Sequence, residues 1–329
     1  MREPAFWWRK ANLRAGLLAP LATIYGAIAA RRMAMNGARA GVPVLCVGNF
    51  TLGGTGKTPA TIMLARMLQA AGERPCCLSR GYDGSNAGPK LVTQNDSAAQ
   101  VGDEALLLAR VATTIVSRDR VEGAKAAHAA GASLIIMDDG LQNPSLVKDF
   151  TLAVVDGRRG IGNACVFPAG PLRAPLKVQL ARCDALLIVG DGDAASDVVA
   201  AAGGMPVFHG KFVPDASAIG ALKGKNVLAF AGIGEPEKFF ATLTHAGIAV
   251  TQCRAFGDHH RFTAEEAAQF IAQAQQNGLT LVTTEKDHAR MTGDPALAEL
   301  AARTKVLPVT LVVDEMDELQ KLVRTKIRK

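Results

Sequence analysis

The sequence is poor in aromatic side chains and has no cysteine pattern typical of a disulfide framework. Aromatic residues make up 5% of the 329 residues, whereas glycine alone occurs 33 times, and such small side chains suit helices packed closely on a sheet. The six cysteines form no CxxC pair and show no framework spacing. We therefore predict reduced cysteines and a cytosolic compartment.

Most of the chain also lacks an excess of charge of either sign. Residues 1–40 hold seven basic residues and one acidic residue, which accounts for +6 of the net charge of +7. The remaining 289 residues carry 30 basic and 29 acidic side chains. A nucleic-acid-binding body would not be balanced in this way, so no nucleic-acid partner is expected. The basic surface is confined to the N-terminus.

A glycine-rich loop lies between the first buried-strand pattern and the first helical pattern of the chain core. Residues 42–47 are nearly all apolar, residues 61–71 place apolar side chains at helical spacing, and residues 48–59 read GNFTLGGTGKTP. This is the order of a P-loop, whose backbone N–H groups hold phosphates. Lys57 would meet the β- and γ-phosphates, and Thr58 would bind Mg²⁺.

The loop departs from the standard P-loop pattern at one position. Thr51 stands where the pattern has glycine, so the backbone freedom is expected from Gly53 and Gly54, with Gly48 as a further candidate. The alternative is a glycine-rich turn that binds no nucleotide. The residues predicted to hold ATP are Thr51, Leu52, Gly53, Gly54, Thr55, Gly56, Lys57 and Thr58.

Two aspartates follow a second buried-strand pattern. Residues 134–140 read LIIMDDG, and a P-loop enzyme holds its Mg²⁺ at the end of such a strand. One carboxylate would bind the metal while the other bonds Thr58 or orients the first. Aspartates at strand ends also cap turns, which is the structural alternative. The metal candidates are Thr58, Asp138, Asp139 and Glu104.

Two further groups of polar residues are candidates for proton transfer. Asp103 and Glu104 open a helix predicted over residues 101–111, where an acidic residue is either a helix cap or a catalytic carboxylate. Asp258, His259 and His260 lie in a turn before another helix. They supply too few ligands for a zinc centre, and a His–Asp pair that moves a proton is the simpler interpretation.

The N-terminus contains an uncharged stretch, Ala15–Ala30, with basic residues on both sides. Its 16 residues are fewer than the ~20 that a spanning helix needs, and Pro20 lies within it. We predict a helix in the membrane interface, with Trp7, Trp8 and Tyr25 at headgroup depth and basic side chains on anionic lipid. A cleaved signal peptide and a helix packed on the protein core are the alternatives. Export would separate a P-loop phosphotransferase from cytosolic ATP.

The rest of the chain predicts an α/β protein of two units. Apolar strand patterns alternate with helical patterns up to about residue 213, which indicates a P-loop parallel sheet with helices on both faces. A second, smaller α/β unit follows, with Val306–Val313 as its last strand, and Val207–Val213 is expected to link the units. The predicted domains are residues 1–40, 41–213 and 214–329, and the last strand and helix are allowed to return to the core.

Motifs with a fixed order occur along nearly the whole chain. They are the N-terminal FWW segment, GGTGKTP, Ser79–Tyr82, Val101–Glu104, Asp119-Arg120, MDDGLQ, Gly162-Asn163, Pro168–Arg173, Gly232–Gly234, Asp258–His260 and Thr283–Asp287. Taken together, these motifs resemble the tetraacyldisaccharide 4′-kinase family, the lipid A kinases. The chain departs from the family at Ala105, Asn143-Pro144 and Ala174, where the family often has proline, histidine and glutamate.

The resemblance implies an ATP- and Mg²⁺-dependent kinase at the cytoplasmic face of the bacterial inner membrane. Its substrate would be an acylated glucosamine disaccharide 1-phosphate, and an anionic membrane surface its partner. Asp103 would act as the base, helped by the Asp258–His260 turn. Arg80, Arg120 and Arg173 are candidate phosphate contacts. A membrane-associated partitioning ATPase or nucleotide sensor is the alternative, although the ATPases often have lysine where this chain has Leu52.

Overall fold

The structure is a computed structural model that describes residues 3–10 and 12–328. Within these residues the strands form one sheet of nine strands, the large sheet, and one of four, the small sheet. The strands are β1 (Val44–Gly48), β2 (Pro75–Ser79), β3 (Lys90–Leu91), β4 (Thr113–Val116), β5 (Leu134–Asp138), β6 (Phe150–Asp156), β7 (Ala185–Val189), β8 (Val207–Pro214), β9 (Asn226–Ala231), β10 (Ala249–Ala255), β11 (Thr280–Thr284), β12 (Lys305–Leu307) and β13 (Val309–Val313).

Helices cover both sheets, and short 3₁₀ helices at Ala5–Trp8 and Pro295–Leu297 precede α1 and α12. The α-helices are α1 (Leu13–Met33), α2 (Lys57–Ala70), α3 (Ala98–Val101), α4 (Asp103–Ala109), α5 (Arg120–Ala129), α6 (Leu176–Leu180), α7 (Ser196–Ala201), α8 (Ala216–Leu222), α9 (Pro236–His245), α10 (Ala264–Asn277), α11 (Glu285–Met291), α12 (Ala298–Arg303) and α13 (Met316–Ile327).

The large sheet places the glycine loop at its centre. Its strand order is β13-β8-β7-β6-β1-β5-β2-β4-β3, and all neighbours pair in parallel except the two edge strands, which are antiparallel. Strands β1, β5 and β6 are buried along their whole length, as strands covered by helices on both faces must be. The predicted fold class is confirmed, and the loop after β1 lies next to the end of β5.

The small sheet has the order β10-β9-β11-β12, with all neighbours parallel. Helix α9 packs Phe239 and Leu243 on one of its faces, and α10 packs Phe270 on the other. Helix α10 begins at the capping box predicted from the sequence, in which the side chains of Thr263 and Glu266 each bond the other's backbone N–H. This unit positions the Asp258–His260 turn and α11.

The end of the chain differs from the prediction. Residues 306–313 do not form one strand of the smaller unit, because Pro308 has no N–H to continue a ladder and the strand divides there. Strand β12 stays in the small sheet, whereas β13 pairs with β8 in the large sheet. Leu319 and Val323 of α13 are fully buried in the large-sheet core. The last strand and helix therefore return to the core.

The segment Val207–Val213 is part of a strand and not a connection. It belongs to β8, which pairs in parallel with β7 and antiparallel with β13. Its first half, residues 207–210, bonds β7, and its second half, residues 210–214, bonds β13, so the backbone of each half has a partner strand. The proposed domain boundary after residue 213 falls at the end of this strand. The division into three domains stays a prediction.

Helix α1 is longer than the uncharged stretch suggested, with 21 residues, or about 32 Å. By length and composition alone it is apolar enough to cross a membrane. Its small residues Ala15, Ala22 and Gly26 are buried. The expectation that both tryptophans sit at headgroup depth is wrong. Trp7 is buried and donates to the Pro168 carbonyl, and Trp8 stacks under the Arg159 guanidinium, because the start of the chain packs on the core.

Candidate active site

The glycine loop takes its turns at two glycines. Gly53 and Gly56 have positive φ values of 98° and 91°, a region that residues with a Cβ rarely adopt. Gly54 was expected to supply the same freedom, but its φ is not positive, and a Cβ there would meet nothing within 4 Å. Gly48 is required for space, since a Cβ at this position would overlap the side chain of Leu141.

The start of the loop is held in an extended conformation, which explains why Thr51 replaces glycine. Thr51 forms an antiparallel bridge with Leu172. The N–H of Leu52 donates to the Pro171 carbonyl at 2.8 Å, and Arg173 Nε donates to the Thr51 carbonyl at 2.8 Å. Any residue adopts this extended backbone, so the turn-forming positions shift to Gly53 and beyond.

Two buried polar atoms in this loop lack a partner in the part of the chain that the structure describes. They are Asn49 Oδ1 and Thr55 Oγ1. Buried polar groups are nearly always hydrogen-bonded in native structures. The Thr55 hydroxyl can donate to a phosphate oxygen, and the Asn49 oxygen can accept from water or a ligand donor. The Thr55 hydroxyl is therefore a donor of the kind that a phosphate site needs.

Lys57, Asp139 and Arg173 form a charged cluster beside the loop. Lys57 Nζ lies 3.9 Å from Asp139 Oδ1, and Arg173 Nη1 lies 2.7 Å from the same oxygen. Burial alone would raise the pKa of Asp139, but the two cations lower it to about 2. Burial lowers the pKa of Lys57. Asp139 has a positive φ of 53°, and such strained backbone in non-glycine residues clusters at functional sites.

Asp138 lies at the end of β5, next to β1, and bonds two hydroxyls of α2. Its carboxylate accepts from Thr61 at 2.9 Å and from Thr58 at 3.2 Å. Burial, followed by the negative charges of Glu104 and Asp139, raises the pKa of Asp138 to about 7. A cation would favour the charged form of this buried acid. The sequence analysis did not name Thr61, although it lies on the same helical face as Thr58.

These residues fit a magnesium ion better than a transition metal. Among the described residues, no three His, Cys, Asp or Glu side chains are grouped as a metal site. Mg²⁺ is commonly held by one or two carboxylates together with substrate phosphates and water. Thr58, Asp138 and Asp139 supply this kind of donor set beside the loop.

The carboxylate of Glu104 forms an ion pair with Lys286, a residue to which the sequence analysis assigned no role. Lys286 of α11 lies 2.8 Å from its carboxylate, and this pair joins the two units. Burial would raise the pKa of Glu104, but the Lys286 charge lowers it. Lys286 bonds one of the two carboxylate oxygens, Oε1, and the role of Glu104 as a metal ligand stays a prediction. The sequence marked Lys286 by its place in the motif Thr283–Asp287, which reads TTEKD.

Asp103 is the first residue of α4, and the predicted single helix over 101–111 is broken just before it. Gly102 has a φ of 85°, and a Cβ there would overlap the carbonyl of Tyr82. Asp103 is buried, its Oδ1 accepts the N–H of Glu104 at 2.8 Å, and its Oδ2 accepts Arg290 Nε at 2.6 Å. Against the effect of burial, His259, Lys286 and Arg290 hold the pKa of Asp103 far below its usual range.

The two histidines of the turn have different surroundings. His259 Nδ1 lies 3.5 Å from Asp103 Oδ2, and its Nε2 lies 3.7 Å from Asp258 Oδ2. His259 also has a positive φ of 58°. His260 Nε2 lies 3.0 Å from both carboxylate oxygens of Glu266, away from this group. The geometry brings His259, Asp103 and Asp258 together and leaves His260 as part of the small-unit packing.

The three arginines predicted as phosphate contacts occupy different places. Arg173 lies in the charged cluster described above. Arg120 is only 3% exposed and donates to the carbonyls of Leu78, Ser117 and Asp138. A guanidinium used in this way braces the sheet edge, so the expected phosphate contact of Arg120 is not supported. Arg80 is exposed at the end of β2 and pairs with no carboxylate among the described residues.

The N-terminal segment reaches the glycine loop, which the sequence did not indicate. A Cβ at Gly53 would overlap the carboxylate of Glu3. Glu3 accepts from Trp8 at 2.9 Å and from Arg159 at 3.0 Å, and Arg159 also pairs with Glu235 of the small unit. The start of the chain therefore touches both the loop and the cleft between the units.

Comparisons with known proteins place this chain in a family. The model of the family described as LpxK, tetraacyldisaccharide-1-P 4′-kinase, matches residues 14–328. The chain belongs to this family. It is 53% identical over 330 residues to the tetraacyldisaccharide 4′-kinase of Rhodopseudomonas palustris strain BisB5, covering 99% of this chain and 97% of that protein. The Afipia carboxidovorans protein of the same name is 50% identical, covering 100% and 98%.

A solved member of the LpxK family has the same architecture. The structure of LpxK from Aquifex aeolicus in complex with ATP has a TM-score of 0.72 and 27% identity, and covers 96% of this chain and 100% of that one. The resemblance drawn from the motifs is therefore confirmed, and the protein is a kinase. The roles of its individual site residues stay predictions.

Proposed function

We propose that this LpxK family member transfers the γ-phosphoryl group of ATP to the 4′-hydroxyl of an acylated glucosamine disaccharide 1-phosphate. The names of its relatives give the reaction. The observation that supports this reaction for the present chain is that the glycine loop and the Asp103–His259 pair lie on two sides of one cleft. The glycine loop with Lys57 belongs to the large sheet, and His259 of the small unit meets Asp103 next to it.

The donor side of this cleft is suited to phosphate charge. Phosphoryl transfer depends mainly on positioning and on neutralising the phosphate oxygens. Lys57 supplies a buried cation, and the amides of the loop and of the first turn of α2 supply aligned dipoles. Mg²⁺, for which Thr58, Asp138 and Asp139 have the oxygen donors, supplies further charge neutralisation when bound. Arg173 keeps Asp139 ionised.

The acceptor side is suited to a sugar hydroxyl. The hydroxyl oxygen forms the new bond to the γ-phosphorus as the bond to the ADP oxygen breaks, and the hydroxyl proton passes to the Asp103–His259 pair. Because its surrounding cations keep Asp103 anionic, we infer that it fixes the orientation of the imidazole and stabilises its protonated form. His259, rather than His260, is the imidazole proposed to assist.

The exposed face of α1 supports docking at the cytoplasmic face of the inner membrane. Most of its large apolar side chains are exposed, led by Leu13 at 80% and Leu17 at 73%. An acylated substrate cannot leave the bilayer cheaply, since each CH₂ moved into water costs about 0.8 kcal/mol. The opposite, small-residue face is buried on the protein, so we favour a helix lying in the interface over one that spans.

The proposed function is tested by incubating the protein with ATP, Mg²⁺ and tetraacylated glucosamine disaccharide 1-phosphate in mixed micelles. We expect a new phosphate on the 4′-hydroxyl, identified by mass spectrometry and phosphorus NMR. A disaccharide lacking the 4′-hydroxyl is the matched control and should accept none. ATP binding or hydrolysis without transfer to the lipid would instead support a membrane-associated ATPase or nucleotide sensor.

Replacing Leu17, Leu21 and Ile24 together with serine is expected to weaken binding to anionic vesicles at least tenfold. Each exposed side chain loses up to about 1.5–3 kcal/mol of burial in lipid, and none of the three is packed on the core. Vesicle co-sedimentation measures the effect. Leu91→Ser, at a side chain 52% exposed on the large sheet, is the control. Unchanged vesicle binding by the triple variant would place the docking surface elsewhere.

A further inference from the structure

Arg290, in the last turn of α11, is a buried arginine with three partners. Its side chain is 6% exposed. Nε donates to Asp103 Oδ2 at 2.6 Å, and Nη1 donates to Asp287 Oδ1 at 2.7 Å and to the Gly232 carbonyl at 2.6 Å. The planar guanidinium is suited to holding several acceptors at fixed angles. A buried cation with this many charged and polar partners fixes their relative positions.

The partners of Arg290 belong to both units of the protein. Asp103 opens α4 beside the large sheet, whereas Asp287 and Gly232 belong to the small unit. The Gly232 carbonyl also accepts the backbone N–H of His259 at 3.1 Å. The Arg290 guanidinium thus bonds the carboxylate of Asp103 and also the Gly232 carbonyl, which accepts the backbone N–H of His259.

The same loop of the small unit touches the glycine loop. A Cβ at Gly234 would lie 3.6 Å from the amide nitrogen of Gly54 and 3.6 Å from Asp258 Oδ2. Arg290 therefore connects the acceptor side of the cleft, at Asp103, with a loop that rests on the donor side. A shift of Arg290 would move both sides relative to each other.

We propose that Arg290 is a positioning residue for the phosphoryl acceptor, one that holds Asp103 and His259 in register with the glycine loop. This inference rests on the proposed kinase function. Arg290 acts through Asp103 and His259 and needs no contact with substrate. Displacement of reacting groups by about 1 Å can lower a rate by about 10²-fold. Because loss of Arg290 would displace Asp103 and His259, we expect it to lower kcat.

The test compares Arg290→Ala and Arg290→Lys with Arg303→Ala in the lipid-phosphorylation assay. Arg303, which pairs with Glu299 on the surface of α12, is the matched control. We expect kcat to fall about 10²-fold in Arg290→Ala and about tenfold in Arg290→Lys, whose single ammonium cannot hold all three partners. The KM for ATP should change less than about twofold, because the glycine loop is intact.

Chemical rescue separates positioning from general support of the fold. A cavity of about 210 Å³ is lined by both Arg290 and Asp103, so free guanidinium has a route to the space left in Arg290→Ala. We expect added guanidinium chloride to restore part of kcat in this variant and to leave wild type and Arg303→Ala unchanged. Methylammonium, which is not planar, should restore less.

Wild-type rates in both Arg290 variants would overturn the proposal. A loss of kcat that guanidinium does not restore, accompanied by a lower Tm and weaker ATP binding, would also overturn it in favour of a structural role. If Arg290→Ala does not fold, Arg290→Lys decides, since it must lose kcat at unchanged Tm and ATP KM. Failure of wild type to phosphorylate the lipid would count against the proposed function instead.

Discussion

Lys57→Ala is expected to lower the rate of phosphoryl transfer by about 10²–10³-fold, or ~3–4 kcal/mol of transition-state stabilisation. Lys57 is the first residue of α2, so its ammonium stands where the loop amides and the helix N-terminus also favour negative charge. It is buried, and an ammonium in such surroundings interacts more strongly with a phosphate than it would in water. The measurement is the rate of lipid phosphorylation at saturating ATP.

The fold should tolerate this substitution. Asp139, which faces Lys57 and is 35% exposed, keeps Arg173 as a closer partner at 2.7 Å, so its carboxylate is not left without a cation. Lys125→Ala is the control, because Lys125 is exposed and pairs with Glu122 one turn along the same helix. A rate within twofold of wild type, with an unchanged Tm, would mean that the glycine loop is not the ATP site.

The sequence predicted the donor side of the site well because its signals are local. The buried strand, the glycines and Lys57-Thr58 lie within 20 consecutive residues, and each element follows from its own spacing. The strand ending in Asp138 and Asp139 is equally local, and parallel strands bring their carboxyl ends to one edge. The parallel core of the large sheet therefore followed from alternating patterns, whereas its strand order, with β5 beside β1, comes from the structure.

The acceptor side could be predicted only in part because it depends on contacts between the units. Lys286 and Arg290 lie 182 and 187 residues from their partners Glu104 and Asp103, and no helical or strand period connects such positions. The sequence therefore gave no sign that the Glu104 carboxylate pairs with Lys286. The motif TTEKD marked the right segment without indicating its partners.

Single residues decided the remaining differences. Pro308 divides what reads as one apolar strand and sends β13 back to the large sheet, a choice that hydrophobic pattern alone cannot make. His259 and His260 are equivalent by composition. The positive φ of His259 and the carboxylate of Glu266 beside His260 separate them. The first feature is one of backbone geometry and the second is a tertiary contact, and composition shows neither.

Asp103→Asn is expected to lower kcat by about 10²–10⁴-fold, the range for loss of a positioned acid or base. Asparagine keeps the size of the side chain and can still accept the N–H of Glu104, so α4 should begin as before. It lacks the negative charge that would hold the His259 imidazole and stabilise its protonated form. Single-turnover kinetics with saturating lipid and ATP measure the chemical step directly.

The two neighbouring histidines supply the matched pair for this prediction. His259→Gln should lower kcat as strongly as Asp103→Asn, and the double variant should be little worse than either single one, because residues that act as a unit have non-additive effects. His260→Gln should mainly lower Tm, since it loses the contact with Glu266 and the stacking on Phe256. If Asp103→Asn retained the wild-type kcat, Asp103 would be a helix-opening residue whose charge serves the ion pair with Arg290 and not the reaction. His259 would then have no anionic partner in Asp103, and only a loss of kcat in His259→Gln would keep it as the proton acceptor.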